Sequence, residues 1–119
     1  MTSDCELNSE VGPRDGLPYE GIRVVEFTHM VMGPTCGMVL ADLGAEVIKV
    51  EPIGHGHEGD NTRKLLGSGA GFFPMFNRNK KSLALDLKTP EGKEAALRLI
   101  ATADTVSYTH LTLPTSDLV

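Results

Sequence analysis

The stretch from Gly21 to Glu51, which reads GIRVVEFTHMVMGPTCGMVLADLGAEVIKVE, decides the fold of this 119-residue chain. Its composition predicts a buried strand over 22–27, a helix opened by Gly33-Pro34, and a second strand over 45–50. The helix should bury one apolar stripe at helical spacing, made of Cys36, Val39, Leu40 and Leu43. A crossover this short indicates parallel strands joined in the right-handed sense, which makes the fold class α/β.

The chain beyond this unit continues the alternation of strands and helices. A long Gly-rich loop over 52–71 leads to an aromatic segment over 72–76, and an alternating strand follows over 82–86. Thr89 should cap a last helix, whose buried stripe comprises Ala96, Leu99, Ile100 and Ala103. A fourth strand is due next, but the sequence does not continue the pattern. We therefore predict a partial, truncated Rossmann-like domain with parallel strands, in the order β-α-β-loop-β-α.

Composition excludes several classes of function. The net charge is −5 and no basic cluster stands out, which argues against nucleic acid as a partner. No apolar run approaches the ~20 residues of a membrane span, and two cysteines do not make a disulfide framework. Residues 1–18 are polar and acidic, so we predict a disordered leader without a secretory signal, and a cytoplasmic protein.

Ligands of parallel α/β sheets bind outside the carboxyl ends of the strands, which directs attention to Thr28–Met32 after the first strand. Two other motifs carry less weight. Residues 54–59 read GHGHEG and match the spacing of a dinucleotide-binding turn, but no helical pattern follows the last glycine. His55 and His57 on this Gly-rich loop have no distant partner ligand. We therefore predict neither NAD nor a metal.

The C-terminal stretch from Val106 to Val119, VSYTHLTLPTSDLV, is Thr-rich and departs from the α/β pattern. It resembles, along its whole length, the translation of a transposase-type sequencing-library adapter. The resemblance implies that native sequence ends at Asp104 and that residues 105–119 are a non-native tail. The alternative is a genuine edge strand over 107–113. No functional role is therefore assigned to Tyr108, His110 or Asp117.

Four blocks of the sequence are similar to the N-terminal part of the class III CoA-transferase family, which includes formyl-CoA:oxalate and carnitine-type CoA-transferases and α-methylacyl-CoA racemases. In the family's order, the blocks read GIRVVEFTHMVMGP, ADLGAEVIKVEP, GDNTR and FNRNKKSLALDLKTPEGKE. The resemblance implies that residues 19–104 are the CoA-binding segment of an enzyme that moves CoA from an acyl-CoA to a free carboxylic acid. In the family an aspartate attacks the thioester and carries CoA as an aspartyl thioester. No Asp of this chain matches that nucleophile, so no catalytic residue is assigned and the chain alone is expected to be inactive.

The resemblance also implies which residues contact coenzyme A. One group follows the first strand, a second lies at the adenine and phosphate end, and an arginine from the GDNTR block orients its loop or approaches CoA. The assigned contacts are His29, Met30, Val31, Met32, Arg63, Leu85, Asp86 and Lys88. Val31 stands where formyl-CoA transferases carry an active-site glutamine, which argues against oxalate and formate as substrates. Pro52 stands where some members place an arginine near the nucleotide.

Two alternatives remain open from the sequence. An acyl-CoA racemase of the same family would transfer a proton α to the thioester, and a truncated product would catalyse nothing. Members of the family form interlocked dimers, so the resemblance implies a homodimer for the full-length form.

Overall fold

The computed structural model describes residues 16–109. Within that range the chain forms strands, three α-helices and two short 3₁₀ turns that alternate along the sequence. Their bounds are β1 Arg23–Phe27, α1 Met32–Asp42, β2 Glu46–Gly54, β3 His57–Glu58, a 3₁₀ turn at Asn61–Lys64, a second at Gly67–Gly69, α2 Phe72–Phe76, β4 Lys80–Leu85, α3 Pro90–Ile100 and β5 Thr105–Tyr108.

Four of the strands form one parallel sheet in the spatial order β4-β2-β1-β5. Val24 pairs with Val47 and Glu26 with Lys49, so each pair shares one face of the sheet. Val24, Val25 and Glu26 are completely buried although neighbours along a strand point to opposite faces. The parallel pairings of β1 with β2 and β5, and of β2 with β4, confirm the parallel α/β architecture predicted from the sequence.

The expectation that no fourth strand follows the last helix is wrong. Residues Thr105–Tyr108 form β5, which pairs in parallel with β1 from Val24 to Phe27. This segment begins two residues before the edge strand considered as an alternative. The backbone groups along that side of β1 need partners, and any extended segment that leaves α3 in this direction can supply them. The foreign origin of residues 105–119 concerns the source of the sequence and stays a prediction.

Helix α1 does not bury the stripe expected from its apolar spacing. Its buried residues are instead the small or compact Pro34, Gly37 and Ala41, with Leu40 packed against the core. The predicted stripe is wrong because Cys36 is exposed and Val39 and Leu43 are 47% and 36% exposed. Small residues let the helix approach the sheet closely where charged side chains of β1 and β4 occupy the space beneath it.

The close approach is tightest at Gly37, which predicts a stability defect for Gly37→Ala. An added Cβ would overlap the carboxylate of Glu26 and lie 3.3 Å from Cε of Lys80. We expect the free energy of unfolding to fall by about 1–3 kcal/mol, although alanine favours helix elsewhere. Urea unfolding followed by circular dichroism measures the change. Gly71→Ala is the matched control because nothing lies within 4 Å of its added Cβ. A Gly37→Ala chain as stable as the control would contradict this packing.

The long loop over 52–71 is more ordered than the sequence suggested. Strand β2 continues to Gly54 and turns through His55-Gly56 into β3, with Ile53 opposite Glu58. Both turn residues have positive φ, 53° and 85°, as a two-residue hairpin turn requires. The GHGHEG sequence therefore makes a β-hairpin rather than the start of a helix, and the rejection of a dinucleotide fingerprint is confirmed.

The second half otherwise follows the sequence closely. Strand β4 begins at Lys80, two residues before the predicted start. Thr89 caps α3 by accepting a 3.1 Å hydrogen bond from the N–H of Gly92, as predicted. Ala96 of the predicted stripe is completely buried, while Leu99 and Ile100 are half-buried. Of the predicted leader, residues 1–15 lie outside the described residues, as do His110 and Asp117.

Candidate functional site

A cavity of about 440 Å³ opens at the carboxyl ends of the parallel strands. Its wall is mostly apolar, with a small number of polar groups from the β2–β3 region and the turn after it. The lining residues are Phe27, Thr28, His29, Met30, Val50, Pro52, His57, Asp60, Asn61, Thr62, Leu65, Leu87 and Tyr108. The position agrees with the general rule for ligand sites in parallel α/β sheets.

His29 and Met30 are the two predicted contact residues that line this cavity. The Nδ1 atom of His29 lies 3.0 Å from Oγ1 of Thr109. Met30 adopts a left-handed backbone conformation, with φ of 67°, and its side chain is 43% exposed. The end of β1 therefore turns sharply at Met30 and presents both side chains to the cavity.

The next two predicted residues lie beside the cavity rather than in its wall. Val31 is the residue before α1, and its carbonyl accepts hydrogen bonds from the backbone and the hydroxyl of Thr35. Met32 begins the helix and is 85% exposed. A side chain as apolar and as exposed as Met32 is free to contact a ligand that extends out of the cavity.

The predicted block after β4 reaches the cavity through Leu87 alone. Asp86 organises this turn, because its Oδ1 accepts a 3.0 Å hydrogen bond from the N–H of Lys88. Its Oδ2 lies 3.3 Å from Nε2 of His55, which joins the turn to the β2–β3 hairpin. Leu85 ends β4 and the side chain of Lys88 is exposed. Their roles in binding stay predictions.

The guanidinium group of Arg63 is bound to other groups of the protein. Its Nε and Nη2 atoms each lie 2.7 Å from a carboxylate oxygen of Glu51, which is a bidentate arrangement. Its guanidinium carbon lies 3.8 Å from the centre of the Phe73 ring. The hydrogen bonds from Arg63, aided by Ser82 and the N–H of Asp60, lower the pKa of Glu51 to about 2 against the opposing effect of burial. Arg63 thus fixes the loop that carries it.

A network of buried charges under the cavity is the main feature that the sequence interpretation missed. Lys49 is 1% exposed, and its Nζ lies 3.0 Å from Asp60 and 3.9 Å from Glu26. The same Nζ donates a 2.7 Å hydrogen bond to the carbonyl of Thr28. On the other side of Glu26, Nζ of Lys80 lies 2.7 Å from the same carboxylate oxygen. The two lysines therefore share one carboxylate between them.

Burial shifts the pKa of Glu26 and the pKa of Lys80 in opposite directions. It raises the pKa of Glu26, despite hydrogen bonds and charge from Lys80, and it lowers the pKa of Lys80 despite the Glu26 partner. Burial also works to raise the pKa of Asp60, but hydrogen bonds from Thr62 and Lys49 outweigh it and leave that pKa below its usual range. Asp60 is therefore a carboxylate at neutral pH, paired with the Lys49 ammonium group.

A signal for this network was present in the sequence. Glu26 and Lys49 each interrupt a β-branched run, RVVEF and EVIKVE, in strands of a parallel sheet, whose two faces are usually covered. A charge placed in such a strand needs a buried partner of opposite sign. The strand register that brings the two residues together could not be read from either run alone.

Residues 16–109 contain neither a membrane-spanning helix nor a cluster of metal ligands. No helix there is long and apolar enough to cross a membrane. No group of three or more His, Cys, Asp or Glu side chains in that range is arranged to hold a metal ion.

Comparison with known proteins finds the same family across most of the chain. The profile of CoA-transferase family III matches residues 19–110. The formyl-CoA:oxalate CoA-transferase of Rhodopseudomonas palustris is 47% identical over 89 residues, which are 71% of this chain and 20% of that protein. The succinyl-CoA–D-citramalate CoA-transferase of Chloroflexus aurantiacus is 42% identical over 101 residues, covering 84% of this chain and 24% of that protein.

Solved structures agree with these similarities. A crystal structure of a mutant of Rv3272 from Mycobacterium tuberculosis superimposes with a TM-score of 0.74 and 43% identity, covering 86% of this chain and 28% of that one. A CAIB/BAIF family protein from Brucella suis gives a TM-score of 0.66 and 42% identity, covering 76% of this chain and 25% of that one. The chain thus spans only 20–28% of the length of these relatives. On the match over residues 19–110, the chain belongs to CoA-transferase family III.

Proposed function

We propose that residues 19–104 form the CoA-binding segment of an acyl-CoA:carboxylate CoA-transferase. The observation that carries the proposal is the coincidence of the family match with a cavity at the carboxyl ends of β1 and β2. Transfer would move CoA from an acyl-CoA to a free carboxylic acid through an aspartyl-CoA thioester. The reacting aspartate would come from outside this chain, which by itself would be inactive. The complete enzyme would be a cytoplasmic, interlocked homodimer that needs no metal.

The cavity wall supports a division of roles within the proposed site. Its apolar part, including Phe27, Val50 and Leu65, suits the uncharged arm of an acyl-CoA. The first group of contacts would be His29, Met30, Val31 and Met32, and the second would be Leu85, Asp86 and Lys88. Arg63 would act by holding its loop through Glu51 rather than by meeting the ligand.

The choice of substrate depends in this proposal on Val31, an apolar residue of the first group of contacts. Val31 can neither donate nor accept a hydrogen bond through its side chain, whereas a small dicarboxylate or formyl group is recognised by hydrogen bonds. We therefore propose an acceptor acid other than oxalate and a donor other than formyl-CoA. The formyl-CoA:oxalate CoA-transferase of Rhodopseudomonas palustris is nevertheless 47% identical to this chain over 71% of its length.

CoA binding by this chain is tested directly by removing the side chain of Lys88, which we expect to contact a phosphate group of CoA. Isothermal titration with CoA should give about three- to tenfold weaker binding for Lys88→Ala, the size of one ordinary lost hydrogen bond. Lys81→Ala is the matched control, because Lys81 pairs at 2.6 Å with Glu46 at the start of β2, far from the carboxyl ends. Equal affinities for the two variants would remove Lys88 from the site, and no binding by the parent chain would overturn the proposal.

The reaction itself is tested on the longer protein that contains this segment. Exchange of CoA between two isotopically labelled acids is expected for a transferase. Exchange of an α-deuteron in one acyl-CoA, without transfer, would instead establish a racemase of the same family. Absence of both reactions would leave only a non-catalytic product.

A further inference from the structure

The segment that leads from β1 into α1 is held by a closed circuit of polar contacts. Nζ of Lys49 donates a 2.7 Å hydrogen bond to the carbonyl of Thr28 and lies 3.0 Å from Oδ2 of Asp60. Oδ1 of Asp60 accepts a 2.9 Å hydrogen bond from the N–H of Thr62. Oγ1 of Thr62 accepts a 3.0 Å hydrogen bond from the N–H of Met30, two residues after Thr28. The circuit thus begins and ends on the same short segment.

Thr62 is the member of the circuit that touches Met30 directly. Met30 has a φ of 67°, a conformation that costs a non-glycine residue about 1–2 kcal/mol. Such a conformation persists when surrounding contacts determine it, and the contact present here is the buried hydroxyl of Thr62, a residue only 1% exposed. The hydroxyl also lies 3.8 Å from the sulfur of Met30. One side chain therefore meets both the backbone and the side chain of Met30.

The other members of the circuit fix the position of Thr62. Asp60 is 4% exposed, and its backbone N–H donates a 3.0 Å hydrogen bond to Glu51. Its carboxylate lies 3.0 Å from Nζ of Lys49, a buried residue of β2. Thr62, held in this way, has little freedom to move when a ligand binds. The turn at Met30 is therefore preorganised before any ligand arrives.

We propose that Thr62 is a positioning residue for acyl-CoA binding, which acts by holding Met30 in its left-handed conformation and so aims His29 and Met30 at the cavity. The identity of the ligand rests on the proposed function above. The conformational part of the proposal rests only on the contacts of Thr62 and is measurable without a ligand.

The experiment compares Thr62→Val, Thr62→Ser and Thr102→Val in the 119-residue chain. Valine keeps the shape of threonine and removes the acceptor, while serine retains it. Thr102→Val is the matched control, since its exposed hydroxyl donates to the carbonyl of Leu99 outside the cavity lining. The first readout is hydrogen exchange of the Met30 amide by NMR, referenced to the amide of Ile48, a residue of β2 that is paired with both β1 and β4. The second readout is CoA affinity by titration.

We expect Thr62→Val to speed exchange of the Met30 amide at least about tenfold relative to Ile48, because its acceptor is lost. CoA binding should weaken by about five- to tenfold. Thr62→Ser should restore both values, and Thr102→Val should change neither. If Thr62→Val does not fold, Asp60→Asn takes its place, since it removes the charge facing Lys49 and should loosen Met30 partially.

The outcomes separate the possible failures. Unchanged Met30 exchange in Thr62→Val overturns the proposal, as does an equal acceleration at Ile48, which would mean a general loss of stability. Faster Met30 exchange with unchanged CoA affinity also overturns it, because the turn would then not matter for binding. If the parent chain binds no CoA, the proposed function fails, while the exchange measurement still decides whether Thr62 sets the conformation of Met30.

Discussion

Replacing Lys49 by methionine should cost this chain about 3–5 kcal/mol of its free energy of unfolding, which is a large share of the 5–15 kcal/mol typical of a folded domain. Methionine fills the volume of the lysine side chain, so the change in the free energy of unfolding reports the contribution of the ammonium group alone. Without that group, the carboxylate of Asp60 stays buried with no cation beside it, and the carbonyl of Thr28 loses its donor. Glu26 would retain Lys80, 2.7 Å away.

Urea unfolding of the 119-residue chain, followed by circular dichroism, measures this loss. Lys64→Met is the matched control: its side chain is 59% exposed and pairs at 2.8 Å with Glu58 on the surface. Surface pairs contribute little, so the control should unfold at the urea concentration of the parent chain. A Lys49→Met chain as stable as this control would contradict the buried ion pair.

A double variant distinguishes a lost pair from a damaged core. Asp60→Asn alone leaves Lys49 without its closest carboxylate, and Lys49→Met alone leaves Asp60 unpaired. Together they remove both charges, so the combined loss should be smaller than the sum of the two single losses. Additive losses would show that the two side chains act independently. Removal of a buried pair as a unit is often far less costly than removal of one partner.

The sequence predicted the elements that depend on local pattern. The strand–helix–strand unit, the parallel pairing of β1 with β2 and the Thr89 cap follow from composition, a short crossover and one side-chain oxygen. Each of these is specified by residues that are close in the chain. The sequence also pointed to the segment that contains His29 and Met30, because the end of a strand in a parallel sheet is a general ligand position. Both residues line the cavity.

The features that sequence missed depend on contacts between distant segments. Helix α1 was expected to bury Val39 and Leu43, but Glu26 and Lys80 lie so close beneath Gly37 that no side chain fits there. That choice is fixed by Glu26 and its partners on other strands, which a helical pattern does not contain. Likewise, β5 pairs with a side of β1 whose backbone groups need hydrogen-bond partners, and this pairing joins segments that are far apart in the sequence.

The candidate site shows the same division between local and distant information. The residues taken from the family resemblance lie along the chain segments that border the cavity, whereas the circuit through Asp60 and Thr62 was not foreseen. GDNTR was recognised as a block, but its aspartate pairs with Lys49, its threonine accepts a hydrogen bond from Met30, and its arginine pairs with Glu51. Asp60, Thr62 and Arg63 of this block are thus all engaged in contacts within the protein. These contacts could not be predicted from the sequence, because they depend on the register of the strands.

Acid should destabilise the chain through Glu51, and Glu51→Gln should remove that part of the response. The folded pKa of Glu51, about 2, lies below its ordinary value of 4.5. A depressed carboxyl pKa contributes stability that is present above pH 4.5 and is lost as the pH falls toward 2. The Glu51 side chain is 3% exposed, but Arg63 is 42% exposed, so solvent reduces the contribution to about 2 kcal/mol.

The measurement is the difference in unfolding free energy between the parent chain and Glu51→Gln at pH 6, 4, 3 and ~2. That difference should be largest at pH 6 and should shrink toward zero at the acid end, because a protonated Glu51 resembles glutamine. Glu26, whose pKa is raised by burial, responds to acid with the opposite sign but is present in both proteins and cancels. Glu58→Gln, at an exposed pair, should follow the parent at every pH. A difference that stays constant with pH would mean that Glu51 stabilises the loop by shape alone, and that the ion pair with Arg63 contributes nothing.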